Sequence, residues 1–143
     1  KNKNTVKNRG QKIKKTKPMH FVSSDGYDIM VGRNNTQNDE LTLKTARNND
    51  IWLHTKNIPG SHVIIFTKGT GTAPDNTLLE AANLSAFYSK AKNGANVPVD
   101  YTLKKYVKKP SGAKPGMVIY ETNSTVYITP NEDKVNSMEK LNE

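Results

Sequence analysis

The stretch "NNDIWLHTKNIPGSHVII", residues 48–65, joins two strand-like runs through a Pro-Gly turn. The first run covers Ile51–His54 and the second covers Ser61–Thr67. Both are rich in the β-branched and aromatic residues that favour strands. Pro followed by Gly suits the central positions of a type II turn. The stretch therefore predicts a hairpin-like unit, around which the rest of the fold is built.

Alternation along the first run gives this unit two different faces. Ile51 and Leu53 share the face that we expect to join the core. Trp52 and His54 share the other face, where their rings would form a flat surface on which a base stacks. The alternative for Trp52 is a half-buried packing residue, and Asp50 either orders the turn or accepts a hydrogen bond from a base edge. The candidate nucleic-acid-binding residues of the unit are Asp50, Trp52, His54, Ser61 and His62.

The polar loop "GRNNTQND", residues 32–39, supplies one cation and several amide side chains. Amides carry both donors and acceptors, so they suit the recognition of base edges. Asn also tolerates positive φ, so loop geometry is the alternative explanation for the two consecutive Asn. Thr36 or Asn35 is predicted to cap a short helix that runs to about Arg47. The candidate binding residues of this loop are Arg33, Asn34, Asn35, Gln37 and Asn38.

Further strand and helix signals surround these two segments. Met19–Ser23 and Tyr27–Val31 give a hairpin signal around Ser-Asp-Gly. Thr77 and Glu80 form a capping box, which opens a helix with a face of small residues that should stop near Gly94. Strand-like alternation recurs in "VPVDYTL", "YVKK", "GMVIYE" and "TVYITP", and the last dozen residues have a weak helical pattern.

Together these elements predict an α+β fold. We expect a mixed or antiparallel sheet of about six or seven strands, packed with one long helix and one or two short helices. Residues 1–17 are predicted to be a flexible basic segment, residues 18–130 the folded domain, and residues 131–143 a tail or a short helix.

Positive charge is concentrated in two places. Residues 1–17 contain seven Lys and one Arg without an acid, which is +8 of the net +9. Such a segment is either a polyanion-binding arm or a solubilising linker. The second place is "KKYVKK", predicted as a strand, where phosphate contacts or a solvated edge strand would give the same pattern. Its candidate residues are Lys104, Lys105, Lys108 and Lys109.

The sequence offers little for catalysis or metal binding. It has no Cys, so disulfides and thiolate metal sites are excluded. His54 and His62 lack the helical spacing of a zinc motif, and neighbours such as Ser61 and His62 point to opposite faces of a strand. There is no P-loop or dinucleotide-binding spacing, and no apolar run approaches about 20 residues. We therefore expect no enzyme, no metal, no cofactor and no membrane partner.

Four blocks in order carry a family resemblance: "FVSSDGYDIMVGRNNTQND", "DIWLHTKNIPGSHVII", "LLEAANLSAFYSKAK" and "VDYTLKKYVKKPSGAKPGMVIYE". Together they resemble the NFACT-R domain, the C-terminal RNA-binding domain of the NFACT family. The resemblance extends from about Met19 to Tyr127. Residues 1–17 are then similar to the end of the family's middle coiled coil and its linker.

The resemblance implies a cytoplasmic RNA-binding module. Proteins of this family act in ribosome quality control, where they bind obstructed large ribosomal subunits and tRNA and support C-terminal alanine tailing of stalled nascent chains. The expected partners are therefore tRNA and large-subunit RNA. The alternative function is a bacterial surface adhesin that binds fibronectin or fibrinogen, because bacterial members of the family also carry that name.

Overall fold

A seven-stranded sheet is the centre of the structure, a computed structural model that describes residues 16–141. In chain order the strands are β1 (Met19–Val22), β2 (Asp28–Val31), β3 (Ile51–Thr55), β4 (Val63–Ile65), β5 (Val97–Leu103), β6 (Val107–Lys108), β7 (Ile119–Tyr120), β8 (Ser124–Ile128) and β9 (Glu139–Lys140). Across the sheet their order is β8-β5-β3-β4-β2-β1-β9, and β6 and β7 form a separate two-stranded ribbon. The hairpin-like unit therefore supplies two central strands.

The helical segments lie between these strands. Among the described residues, the α-helices are α1 (Asn35–Glu40), α2 (Asp75–Phe87) and α3 (Glu132–Ser137). A π-helical turn, Leu41–Thr45, follows α1 directly, and a 3₁₀ turn, Lys104–Tyr106, leads into β6. Within residues 16–141, none of the helices has the length and hydropathy that crossing a bilayer requires.

Helix α2 covers one face of the sheet with small side chains. Ala81, Ala82 and Ala86 are buried and allow a close approach between the helix and the strands. They join Ile51 and Leu53 of β3 in the larger apolar cluster. The removal of this surface from water is the main source of stability, and the predicted packing of the small-residue face is confirmed.

The opposite face of the sheet has a smaller apolar cluster of its own. Leu41 of the π-helical turn, Ala46 after it, Ile64 of β4 and Val107 of β6 enclose Trp52 there. The sheet is therefore covered on both faces at β3 and β4. This explains why β4 is a continuous apolar run rather than an alternating one.

The α+β class and the seven-stranded sheet are confirmed, and all pairings in the sheet are antiparallel. Strand β5 has the bounds of the run "VPVDYTL". The weak helical pattern near the end corresponds to α3, but no pattern predicted β9. That strand pairs with β1, where Phe21 lies opposite Lys140. The ribbon strands β6 and β7 are much shorter than the runs "YVKK" and "GMVIYE".

The cap and the extent of α1 differ from the prediction. Its N-cap is Asn34 rather than Asn35 or Thr36, and the Asn34 side-chain oxygen accepts a hydrogen bond from Gln37 N at 2.9 Å. The helix also does not continue regularly to Arg47, because it changes to the π-helical turn. The polar loop therefore leads into a capped helix, and the cap hydrogen bond fixes the Asn34 side chain.

Helix α2 begins before Thr77, so the predicted capping box is wrong. Thr77 Oγ1 donates a hydrogen bond to Asp25 Oδ2 at 2.8 Å, and Glu80 Oε1 accepts one from Ser24 N at 2.9 Å. Both side chains therefore attach the helix to the turn between β1 and β2. The helix ends at Phe87, earlier than predicted.

The basic segment predicted over residues 1–17 lies almost entirely outside the described residues. Thr16 O accepts a hydrogen bond from Gln37 Nε2 at 2.9 Å, and Lys17 O accepts one from Arg33 Nε at 2.6 Å. The chain therefore enters the folded region alongside the polar loop.

Candidate nucleic-acid interface

Trp52 does not offer a free face on which a base could stack. Its side chain is 0% exposed, and its Nε1 donates a hydrogen bond to His62 Nδ1 at 3.2 Å. The predicted alternation is correct, since Ile51 and Leu53 lie on the other face of the sheet. However, the π-helical turn and β6 cover the Trp52 face. The predicted stacking role of Trp52 is therefore wrong, and its burial exceeds that of the half-buried alternative.

His62 is a buried hydrogen-bonding centre beneath the predicted binding face. Its Nε2 donates to Gly116 O at 3.0 Å, so Nδ1 is the acceptor for Trp52 Nε1 and for Thr42 Oγ1 at 2.8 Å. Burial is the main cause that lowers the pKa of His62 to about 4, and the charge of His54 adds to it. The ring is therefore neutral at pH 7 and joins β4 to the π-helical turn and to the loop before β7.

Acid should destabilise the fold through His62. Its pKa in the folded chain is about 4, below the ordinary 6.5, so between these pH values only the unfolded chain takes up the proton. This contribution to stability is complete above pH 6.5 and is lost as the pH falls toward 4. We expect the free energy of unfolding to fall by about 2–3 kcal/mol between about pH 7 and pH 4.5, measured by urea unfolding.

The matched control for this pH dependence is His62→Gln, whose amide keeps a donor for Gly116 O without titrating. The variant should be less stable at neutral pH but should lose less stability on acidification. A residual slope of the same sign is expected from His54, because burial also lowers its pKa. Equal pH slopes for the two proteins would show that His62 is not the responsible group.

Asn38, Ser61 and Gly32 attach the polar loop to the hairpin. Asn38 Oδ1 accepts a hydrogen bond from His62 N at 3.1 Å, and Ser61 Oγ donates one to Gly32 O at 2.6 Å. A Cβ on Gly32 would stand 2.0 Å from Asn38 Oδ1, so this close approach requires glycine. Asn38 and Ser61 therefore use their polar groups to build the loop.

Gln37 also has a structural role in the polar loop. Its side chain is buried, and its Oε1 accepts a hydrogen bond from Arg33 N at 2.9 Å while its Nε2 donates to Thr16 O. The alternative considered for the Asn pair was a role in loop geometry. That role accounts for Asn34, which caps α1, and it also accounts for Gln37. Among the candidate binding residues of this loop, those that remain exposed are Arg33, Asn34 and Asn35.

Asp50 orders the turn before β3, which is one of the two roles predicted for it. Its side chain is buried, its Oδ2 accepts a hydrogen bond from Arg47 N at 2.8 Å, and its Oδ1 accepts one from Thr67 N at 2.9 Å. Both carboxylate oxygens therefore face protein donors. This arrangement leaves no access for the other predicted role, acceptance from a base edge.

The basic run "KKYVKK" is not one regular strand. Its first half is a 3₁₀ turn, so the predicted alternation of Lys side chains along the run is wrong. Lys105 and Lys108 are nevertheless exposed, and Lys104 is half-buried at the surface. The Lys105 ammonium lies 5.4 Å from the centre of the Tyr106 ring. We call these three lysines, which lie within five consecutive residues, the ribbon lysines.

Lys109 differs from the ribbon lysines because its charge is used inside the protein. Its Nζ lies 3.2 Å from Asp39 Oδ2 and donates a hydrogen bond to Lys114 O at 2.6 Å. Asp39 Oδ1 also accepts from Gly116 N at 2.8 Å. The pair therefore holds the loop between β6 and β7 in place, and Lys109 is not a free phosphate contact.

Two adjoining recesses open between the polar loop, the hairpin turn and the loop before β7. The first has a volume of about 380 Å³ and is walled by His54, Tyr120 and Met117. The second, of about 320 Å³, lies beside Arg33 and Lys90. The residues that line both recesses are Asn35, Pro59 and Gly60. The structure thus brings His54, Arg33 and Asn35 to one surface, while the other residues predicted in these two segments lie beneath it or support its loops.

A larger recess lies elsewhere, beside α2 and α3, with a volume of about 630 Å³. Glu80 and Glu139 are among its lining residues. Its wall also carries Lys134, but the two carboxylates outnumber this one cation and oppose the approach of a polyanion, so volume alone does not make it the better candidate for nucleic acid.

Several residues of the adjoining recesses were not predicted from the sequence, among them Lys90, Asn57, Met117 and Tyr120. Lys90 follows α2, Asn57 lies in the hairpin turn, and Met117 lies in a run that was predicted as a strand. Asn57 has a positive φ of 54°, a conformation that Asn tolerates better than most residues. Met117 is 58% exposed, and no sequence period marked it as a surface residue.

The chain matches the family model described as the NFACT protein RNA binding domain over residues 17–122. It is 49% identical over 138 residues to the Rqc2 homolog RqcH of Bacillus subtilis, covering 92% of this chain and 23% of that protein. It is 44% identical over 126 residues to the Rqc2 homolog RqcH of Streptococcus suis, covering 87% and 22%. The chain thus spans less than a quarter of the length of these relatives.

A solved structure supports the same similarity. It is the C-terminal part of the fibronectin/fibrinogen-binding protein from Streptococcus suis, with a TM-score of 0.85 and 42% sequence identity. The match covers 93% of this chain and 53% of that one. The fold described above is therefore shared with a protein of known structure.

Proposed function

The chain belongs to the NFACT RNA-binding domain family, and from this premise we propose that it is the RNA-binding module of a ribosome-associated quality-control factor. In this proposal it binds tRNA and large-subunit RNA on obstructed large ribosomal subunits and so supports C-terminal alanine tailing of stalled nascent chains. It works in the cytoplasm, by binding rather than by catalysis. Residues 18–130 form the RNA-binding unit, and the basic residues 1–17 add phosphate contacts.

The observation that carries this proposal is the basic surface formed by the ribbon lysines. Among the described residues, no carboxylate lies within ion-pair distance of Lys104, Lys105 or Lys108. Lysines without an acidic partner keep their full attraction for phosphate, and their contacts release counterions from the nucleic acid. The surface thus has the electrostatic property that RNA binding needs.

The test is a comparison of tRNA, large-subunit rRNA and fibronectin as ligands across a salt series. We expect both RNAs to bind, with the logarithm of the affinity falling linearly as the logarithm of the salt concentration rises. Fibronectin should bind weakly or not at all. Binding of fibronectin alone, with no measurable RNA affinity at low salt, would support the adhesin alternative and reject the proposal.

Reversing the charge of the ribbon lysines should weaken RNA binding. We expect the combined change Lys104→Glu, Lys105→Glu and Lys108→Glu to lower the affinity on the order of 10- to 100-fold at moderate salt and to flatten the salt slope. Exposed charges contribute little to stability, so thermal unfolding should change little. Lys109 is left unchanged because its ion pair with Asp39 supports a loop.

The matched control changes three exposed lysines elsewhere to Glu and so makes the same change in net charge. They are Lys44, Lys68 and Lys134. It should weaken RNA binding much less than the ribbon triple. Equal losses in the two triples would mean that RNA responds to the net charge of the domain and that the ribbon lysines are not a binding surface.

A further inference from the structure

The recess beside His54 has aromatic and apolar walls. The His54 ring stacks on Trp52 with ring centres 5.8 Å apart, and the tilted Tyr120 ring also packs against the indole, with ring centres 4.6 Å apart. Trp52 itself is covered, so His54, Tyr120 and the exposed Met117 form the accessible wall. Sulfur and aromatic rings make favourable contacts with flat conjugated groups.

The same recess carries no net charge. Burial lowers the pKa of both His54 and His62, so both rings are neutral at pH 7. Among the described residues, no carboxylate and no ammonium lines the recess. At its mouth Asn35 and Asn57 supply amide groups, which offer both donors and acceptors. The recess therefore suits a flat, neutral group with a polar edge.

The adjoining recess has the opposite character, because two cations border it. Arg33 and Lys90 are exposed, and among residues 16–141 neither has a carboxylate within ion-pair distance. Between the recesses lies Gly60, which packs against Ser89. A Cβ on Gly60 would stand only 2.7 Å from Ser89 Cβ, so this close approach requires glycine. Because the two recesses share Asn35, Pro59 and Gly60, one ligand can contact both of them.

We propose that the recess beside His54 holds one unpaired nucleobase of RNA, while Arg33 and Lys90 contact the phosphates next to it. This inference rests on the proposed function and names the part of the RNA, a single unpaired nucleotide, that the two recesses would bind. A neutral, partly aromatic recess next to two cations that have no carboxylate partner among residues 16–141 matches a nucleotide, which joins a flat neutral base to a charged backbone. The amides of Asn35 and Asn57 are placed to bind the edge of the base.

The experiment uses three RNA hairpins that differ at one position. One is fully paired, one carries a single extrahelical base, and one carries an abasic nucleotide at that position, which keeps the backbone and removes only the base. Because stacking of one base is worth about 1–3 kcal/mol, the hairpin with the extrahelical base should bind roughly 5- to 150-fold more tightly than the abasic one.

Two variants test whether this preference arises in the recess. Met117→Ala removes an exposed wall residue and should not affect folding, and His54→Ala removes the ring itself. Both should reduce the preference for the extrahelical base over the abasic nucleotide, which is a ratio of two affinities measured on the same protein. Leu79→Ala, which truncates an exposed apolar side chain at the larger recess, is the control and should keep the preference.

The outcomes separate this inference from the proposed function. If the wild-type protein binds the extrahelical and abasic hairpins equally, or if the preference survives Met117→Ala in a folded protein, the base site is rejected and RNA binding stands. If none of the three hairpins binds at low salt, the proposed function is rejected and the base site with it.

Discussion

Replacing Trp52 with Ala should lower the free energy of unfolding by about 3–5 kcal/mol. The indole is fully buried between Leu41, Ile64 and Val107, so its loss leaves a cavity in the smaller apolar cluster. It also removes the hydrogen bond from Nε1 to His62 Nδ1. A typical domain is stable by only about 5–15 kcal/mol, so the variant should unfold at a much lower urea concentration.

Trp52→Phe is the control for this prediction. It keeps an aromatic ring in the cluster and loses the N–H donor, so it should destabilise the domain less than Trp52→Ala. The indole is covered, so neither variant removes a direct RNA contact, and the contribution of the ribbon lysines to RNA affinity should be unchanged in the folded fraction. Loss of the indole that packs against His54 should affect only the preference for an extrahelical base. Unchanged stability of Trp52→Ala together with 10- to 100-fold weaker RNA binding would restore the stacking role.

Replacing Asp50 with Ala should be the second severe change, with a loss of roughly 2–4 kcal/mol in the free energy of unfolding. The change removes the acceptors for two backbone N–H groups, those of Arg47 and Thr67. The Thr67 N–H is buried, and such a donor left without a partner costs about 1–3 kcal/mol, whereas the Arg47 N–H is only partly buried and adds less. Urea unfolding at neutral pH measures the loss.

Two variants bracket the Asp50 prediction. Asp50→Asn keeps one acceptor oxygen and should fall between the wild type and Asp50→Ala. Asn49→Ala, a change at the neighbouring residue, removes only an exposed hydrogen bond to Gly69 O and should cost less than about 1 kcal/mol. An Asp50→Ala protein as stable as the wild type but impaired in RNA binding would show that the carboxylate is a ligand for RNA.

Local sequence patterns predict the strands of this domain well, because each strand carries its own pattern of side chains. Val97–Leu103 alternates and is a strand with those bounds. The two faces of the hairpin-like unit were also predicted, since alternation assigns Ile51 and Leu53 to the α2 side. The period of a strand is an intrinsic property of its backbone and needs no knowledge of distant residues.

Coverage of the second face could not be predicted in this way. Trp52 is buried by Leu41 of the π-helical turn and by Val107 of β6, which approach it only through tertiary packing on this face of the sheet. Lys109 looks like a free cation in the sequence, but its Nζ lies 3.2 Å from Asp39 Oδ2 and forms an ion pair with it. The sequence shows that a charged or aromatic side chain is present but not which distant residue packs against it. Local patterns therefore do not predict whether that side chain is exposed to solvent.

The candidate site was predicted only in part for the same reason. Arg33 and Asn35 were expected at the surface and lie there, beside the half-buried His54. The opposite wall comes from the loop before β7, which is held by the hydrogen bond between His62 and Gly116. Met117 enters the site through that tertiary contact, and RNA contact by any of these residues stays a prediction.

Strand β9 returns the chain to β1, and this pairing determines how the domain would respond to mechanical force. Phe21 lies opposite Lys140, and Leu141 N donates a hydrogen bond to His20 O at 2.9 Å. Because the two strands are antiparallel, the chain before Met19 and the chain after Lys140 leave from the same end of the pair. Tension between these flanks would break the β1–β9 hydrogen bonds one after another rather than all at once. Strand β9 would therefore peel away at low force, before the six remaining strands of the sheet are disturbed.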